Sequence, residues 1–289
     1  VYGQDSEQLF TRSKELEWLG RLSRLGLVPK LLATFGNGRV EEFLDNTTTL
    51  RKDTIKDAFL SHSIAVKLRE FHAVSSAAYP PAHNEREEWW ENVEHWIHGA
   101  ERAVLNVRDK DARLDGFSME TLKGQVLAYK KRVDQLMGKD KHMVFAHNDL
   151  QYGNILKLNN KQDTDHAVAF VDFEYGGYNP RAFDVANHFC EWQADYHDEE
   201  TPHELHRDWY PSVQQQEAFL ASYLNQGIHA KEVTELRQQV EYYRGASEVM
   251  WGLWGLVQAE RTDIEFDYVG YGLGRIHEFQ RLFRVINNY

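Results

Sequence analysis

The chain has 289 residues, 42% hydrophobic and 27% charged, which suits one compact enzyme body of one or two lobes around a sizeable core. A formal net charge of −12 argues against a nucleic-acid or anionic-membrane footprint and favours a cationic substrate. Cys190 is the single cysteine, so no intramolecular disulfide is possible and a cytoplasmic setting is expected. The longest strongly apolar run, 249–257, is about half of the ~20 residues that a membrane-spanning helix needs. The opening residues Val1 to Ser6 carry no basic stretch and no apolar targeting core, and are expected to lie inside a domain.

Leu9, Trp18, Leu19, Leu22 and Leu25 recur at helical spacing among Lys14, Glu15 and Glu17. They predict an amphipathic helix over about 6–25, stopped by Gly26 and Pro29. Two strand-like runs, 30–35 and 39–44, flank Gly36-Asn37-Gly38, where Asn-Gly signals a hairpin. Helical period returns over 54–73 through Ile55, Phe59, Ile64, Leu68 and Phe71, and Pro80-Pro81 closes it. The polar, Trp-rich region 82–117 predicts short helices with an exposed loop near 109–115, and a longer helix follows over 118–137. Short strands are expected at 143–147, 155–158 and 167–173, between loops rich in Asn, Asp and Gly. Helical patterns then occupy 212–225, 231–260 and 272–286, with no repeat or low-complexity linker.

The stretch His147-Asn148-Asp149-Leu150-Gln151-Tyr152-Gly153-Asn154, followed by Asp172-Phe173-Glu174, carries the chemistry. Phosphoryl transfer needs a carboxylate to orient or deprotonate the attacking hydroxyl, and hard oxygen donors to hold Mg²⁺ against phosphates. An Asp followed five positions later by Asn, on a loop between strands, supplies the first and one of the second. An Asp ending the next strand supplies another. Each residue alone reads equally well as a turn cap or a strand end. The joint spacing of Asp149, Asn154 and Asp172 favours a kinase-like site.

These segments resemble the choline/ethanolamine kinases. The resemblance rests on 144–156, on Val171-Asp172-Phe173-Glu174-Tyr175-Gly176-Gly177-Tyr178-Asn179-Pro180-Arg181 continuing through 183–192, and on Trp251-Gly252-Leu253-Trp254 with Ile264-Glu265-Phe266. It spans nearly the whole chain and is weakest over 82–117 and 195–212. It implies an α+β, protein-kinase-like two-lobed fold with a mostly helical C-terminal lobe and an N-terminal lobe incomplete in this chain. The implied boundaries are 1–44 for the nucleotide lobe (helix, hairpin and hinge) and 45–289 for the catalytic and substrate lobe. The implied reaction is ATP-dependent phosphorylation of choline to phosphocholine, the first step of phosphatidylcholine synthesis, with Mg²⁺ as cofactor. Ethanolamine is the alternative acceptor, and a homodimer is the expected assembly.

By the same resemblance, Asp149 is the catalytic base, Asn154 and Asp172 are the Mg²⁺ ligands, and Gln151 lies near the phosphate path. Asp184 braces the catalytic loop, and His147 shapes it. Glu15 matches the acidic partner of a basic residue on the third strand, although alone it reads as a solvated helix charge. Glu42, Phe43 and Leu44 match the hinge that contacts adenine. No glycine-rich strand–loop–strand is present, and Val1-Tyr2-Gly3 looks like the tail of the third strand, with its basic residue just upstream. That departure also admits a non-catalytic choline-binding module.

A quaternary ammonium donates no hydrogen bond, so aromatic faces and a carboxylate must hold it, each cation–π contact adding roughly 0.5–2 kcal/mol. Trp251 and Trp254, three apart on a predicted helix, share a face. Such a pair is commonly core packing, but the resemblance matches it to a choline cage with Tyr196, Phe266 and Tyr271. Tyr175 matches a neighbouring position, and Glu191 is the expected source of negative charge. The stretch from Glu191-Trp192 to Asp195-Tyr196 looks more like the choline branch than the ethanolamine branch.

Overall fold

The computed structural model describes residues 12–139, 141–161, 166–260 and 265–287. Leu9, Ile264 and the Val1-Tyr2-Gly3 segment lie outside them. Helix α1, Arg12–Arg24, buries Trp18, Leu19 and Leu22, and Gly26 at φ +69 ends it in the left-handed conformation that glycine adopts without strain. Strands β1, Leu31–Phe35, and β2, Gly38–Glu41, form the expected antiparallel hairpin, with Phe35 opposite Gly38. The second strand ends three residues before the expected 44. After Glu42 N–H donates to Lys30 O at 2.8 Å the chain leaves the hairpin.

Helix α2, Ala58–Ala78, starts later than 54 because Asp57 caps it, accepting the Leu60 N–H at 3.0 Å, and it runs on toward Pro80. The expectation of several short helices over 82–117 is corrected. One 20-residue helix, α3 (Glu88–Val107), occupies the region, followed by two 3₁₀ turns, Arg108–Lys110 and Ala112–Leu114, where a loop was expected. Its buried stripe is Trp89, Val93, Trp96, Ala100 and Val104, spaced by three and four. Helix α4, Met119–Met137, follows the Ser118 cap.

Two short strands were not foreseen: β3 (Thr47–Thr49) and β7 (Gly177–Pro180). Both are too short to show alternation. β3 pairs with β5 (Ile155–Leu158), which pairs with β6 (Val168–Phe170), while β7 pairs with β4 (Met143–Ala146). The chain then turns into α5 (Arg181–Glu191), α6 (Val213–Leu224), α7 (Lys231–Gln258) and α8 (Tyr268–Ile286). Helix α8 begins four residues before the expected 272, its Asp267 cap accepting the Gly270 N–H at 2.9 Å. Among the described residues no helix is long and apolar enough to cross a membrane.

Two consequences position the site. The β5–β6 ladder sets Ile155 opposite Phe170, and Val171 N–H donates to Asn154 O at 3.0 Å, so the residues flanking these strands become neighbours. Helices α7 and α8 pack with backbones nearly touching. A Cβ on Gly255 would lie 2.7 Å from Tyr271 Cδ1 and 3.0 Å from Gly272 Cα.

Candidate active site

Beyond β4 the chain turns sharply, with Asn148 at φ +67. Asp184, fully buried on α5, takes the N–H groups of His147 (2.9 Å) and Asn148 (2.8 Å) and a third bond from His72 Nε2 (2.8 Å). Burial pushes the Asp184 carboxyl up, but the hydrogen bond and charge of His72 outweigh it and hold the group below the ordinary carboxylate range. Asn148 donates to Tyr175 O at 2.8 Å and accepts from Asn179 Nδ2 at 2.7 Å, tying the loop to β7. The His147 ring joins both loops, with Nε2 at 3.0 Å from Val171 O and Nδ1 accepting the Asp149 N–H at 3.3 Å. Burial pushes this imidazole below its usual pKa. One donating and one accepting nitrogen is what a neutral ring offers.

Asn154 Nδ2 donates to Asp149 O at 2.8 Å and to Asp149 Oδ2 at 2.9 Å. Asp172 follows β6 with φ +64. The carboxyl of Asp149 is pushed well above its ordinary range, first by burial and then by the charges of Glu191, Asp172 and Glu174. Asp172 is raised by burial against the pull of Arg39. Glu174, to which the sequence alone assigns no role, is pushed up to about 8 by burial and by Asp172. Asp149 and Glu174 are partly buried and Asp172 is more exposed as a residue, and the charge of Asp172 raises the other two, so the cluster is short of positive charge. Their oxygens, with the Asn154 amide, form a hard donor set that fits Mg²⁺. Among the described residues no three His, Cys, Asp or Glu side chains gather into a closed metal cluster. An ion that takes one or two protein ligands and fills its shell from water and phosphate needs none.

Asp149 and Gln151 open onto a cavity of about 300 Å³. The seven residues expected around the acceptor, Tyr175, Glu191, Tyr196, Trp251, Trp254, Phe266 and Tyr271, all line it, as do Glu174 and Tyr268. Tyr175 and Trp251 meet edge to face at 5.0 Å, Trp251 and Trp254 at 5.7 Å, and Trp254 and Tyr271 at 6.0 Å. Trp254 Nε1 donates to Tyr175 OH at 2.9 Å, and Trp251 Nε1 to Asn187 Oδ1 at 2.7 Å, so both indole N–H groups are satisfied by protein. Gln151 also accepts the Gly153 N–H at 2.8 Å, capping the turn that leads to Asn154.

Glu191 is more engaged than its place in the sequence predicts. Arg275 Nη2 donates to its Oε1 at 2.7 Å, and Tyr196 OH to its Oε2 at 2.7 Å. Sequence reasoning missed Arg275, and Tyr268 as well. The available signal for Arg275 was a lone arginine on the inward stripe of Leu273, Ile276 and Phe279.

Within electrostatic reach of Asp172, Glu15 is only 6% exposed and pairs with Arg39 of β2, which also donates to Glu41 at 2.5 Å. It is therefore not a solvated helix charge. Glu42 Oε2 accepts the Lys30 N–H at 3.2 Å, Leu44 O accepts from the Thr47 hydroxyl at 3.0 Å, and Phe43 is 83% exposed. A larger cavity of about 500 Å³ runs from Glu42 and Leu44 to Lys67 and Glu70 of α2. It shares no lining residue with the aromatic cavity and contains no catalytic-loop residue, so size alone does not mark the chemistry.

Residues 1–280 match the family model described as Choline/ethanolamine kinase. The chain is 36% identical over 282 residues to the probable choline kinase 2 of Arabidopsis thaliana, covering 96% of this chain and 75% of that protein. To a probable ethanolamine kinase of the same plant it is 30% identical over 285 residues, covering 97% and 71%. The crystal structure of a choline kinase from Cryptosporidium parvum superposes with a TM-score of 0.81 at 23% identity, over 100% of this chain and 82% of that one. The fold is the expected α+β, protein-kinase-like one.

Proposed function

The chain belongs to the choline/ethanolamine kinase family, and on that premise we propose that it transfers the γ-phosphoryl group of ATP to the hydroxyl of choline, with ethanolamine as a secondary acceptor. One observation carries the reading: the carboxylate of Asp149 opens into the same cavity as the rings of Tyr175, Trp251, Trp254 and Tyr271. A cation seated among those rings carries its hydroxyl on a two-carbon arm toward Asp149. Choline is favoured because Tyr175 OH accepts from Trp254 and both oxygens of Glu191 are engaged. Around Glu191 and the rings the cavity thus offers faces more readily than free acceptors, which suits a trimethylammonium group.

In the reaction the acceptor oxygen attacks the γ-phosphorus, the bond to the β–γ bridging oxygen breaks, and ADP departs. The hydroxyl proton passes to Asp149, whose burial makes it a better base than a solvated aspartate. Asn154 orients that carboxylate through its 2.9 Å bond. Asn154 and Asp172 would hold Mg²⁺, whose chemistry there is to neutralise phosphate charge. Asp184 and His147 keep the two loops in register. Since such transition states concentrate charge on phosphoryl oxygens, positioning and electrostatics supply most of the rate.

We assign residues 1–44, with Glu15 and the hinge Glu42, Phe43 and Leu44, to the nucleotide lobe and 45–289 to the catalytic lobe, in a cytoplasmic enzyme. The test is a coupled ADP-release assay with Mg·ATP and either choline or ethanolamine. A higher kcat/KM for choline supports the assignment. Turnover of ethanolamine alone, or of neither, overturns it.

A further inference from the structure

Arg275 lies behind the wall of the acceptor cavity, and any role it has in selectivity rests on that cavity being the amino-alcohol site. Its side chain is 0% exposed on α8. Nη2 donates to Glu191 Oε1 at 2.7 Å and to Tyr196 OH at 3.1 Å, and Nη1 to Glu248 Oε2 at 3.2 Å. Its Cζ lies 5.2 Å from the centre of the Tyr271 ring. Three of these four neighbours line the cavity, and Arg275 does not. A guanidinium does not deprotonate in a protein, so this is a fixed positive charge between two buried carboxylates. Its two forks tie both glutamates into one bonded cluster, so the Glu191 carboxylate is drawn back from the cavity face.

The geometry points to Arg275 as a positioning residue for acceptor selectivity, holding Glu191 and Tyr196 so that the Glu191 lone pairs are withheld from a primary ammonium while the rings beside it are presented to a quaternary one. A primary ammonium must replace the hydrogen bonds that its N–H groups made to water, whereas a trimethylammonium makes none. Engaging Glu191 from behind therefore handicaps the first far more than the second.

The test is calorimetric titration of this chain with choline chloride and with ethanolamine hydrochloride, ATP binding serving as control. Arg275→Met removes one charge and leaves two buried glutamates without their shared cation, so it is paired with Glu248→Gln, which offsets that charge and frees only Oε1 of Glu191. In the double variant the ratio of choline to ethanolamine affinity falls about tenfold or more, the scale of one hydrogen bond to a charged group, with ATP binding unchanged. Arg275→Lys keeps the charge but not the fork, and shifts the ratio in the same direction by about threefold. It carries the test if the double variant does not fold. A ratio within about twofold of wild type in a variant with native circular dichroism overturns the role of Arg275. A wild-type chain that binds neither amino alcohol overturns the acceptor reading itself, a different result.

Discussion

The amide of Asn154 stands 2.9 Å from the Asp149 carboxylate and donates to it, so the residue that orients the proposed base is also a proposed metal ligand. This coupling makes the two positions separable by experiment. Asp149→Asn removes the proton acceptor and keeps the shape. We expect kcat to fall by about 10²–10⁴-fold, the usual worth of a general base, with little change in thermal midpoint. Asn154→Ala is expected to lower kcat and also to raise the Mg²⁺ concentration needed for half-maximal rate. A kcat within severalfold of wild type in Asp149→Asn refutes the base assignment.

Trp254 touches Trp251, Tyr268 and Tyr271 and donates to Tyr175 OH, so it braces the ring box as well as walling it. Trp254→Ala should raise KM for choline by about 5- to 30-fold, the equivalent of one or two cation–π contacts, and leave KM for ATP within about twofold. Steady-state kinetics with each substrate varied in turn decide it, and equal effects on both count against the cage.

The close approach of α7 to α8 at Gly255 makes a specific demand. Its missing side chain makes room for the Tyr271 ring and the Gly272 backbone. Gly255→Ala is expected to destabilise the fold by about 1–3 kcal/mol through overpacking. It should also displace Tyr271, so the KM for choline should rise while that for ATP holds. Denaturant melts and kinetics on the same preparation test both halves.

His188 is fully buried, with Nδ1 2.9 Å from the Leu150 carbonyl, and burial pushes its imidazole down to about 4. An unfolded histidine titrates near 6.5, so between these values the unfolded chain binds the proton and the folded chain does not. Stability is therefore full above pH 6.5 and lost as pH falls toward about 4, by about 3 kcal/mol from this group alone. His147 is lowered by the same cause and adds to the trend. His188→Gln should flatten the dependence of thermal midpoint on pH across that window. An unchanged slope would place the acid sensitivity elsewhere.

Much of this molecule was legible residue by residue. The apolar period of Trp18, Leu19 and Leu22 predicts α1, Asn37-Gly38 predicts the hairpin, and the spacing of Asp149, Asn154 and Asp172 names three groups that the β5–β6 ladder brings together. Helix α3 was harder, because glutamates and histidines on its outer face dilute a stripe that is clear only once Trp89 and Trp96 are seen buried. Strands β3 and β7 are defined by their partners rather than by their own residues.

Local periodicity and motif spacing report what neighbours along the chain do together, so the amino-acid order alone determined most of the helices, though not α5 or the single span of α3, and with them the hairpin and the kinds of chemistry available. Which charges meet was decided only by the tertiary fold. Glu15 with Arg39, 24 residues apart, and Glu191 with Arg275, 84 residues apart, are paired because packed elements deliver them to one buried point, and no short-range pattern encodes such a meeting. Burial then turns these pairings into chemistry, since a carboxylate deprived of water must find a cation, a donor or a proton.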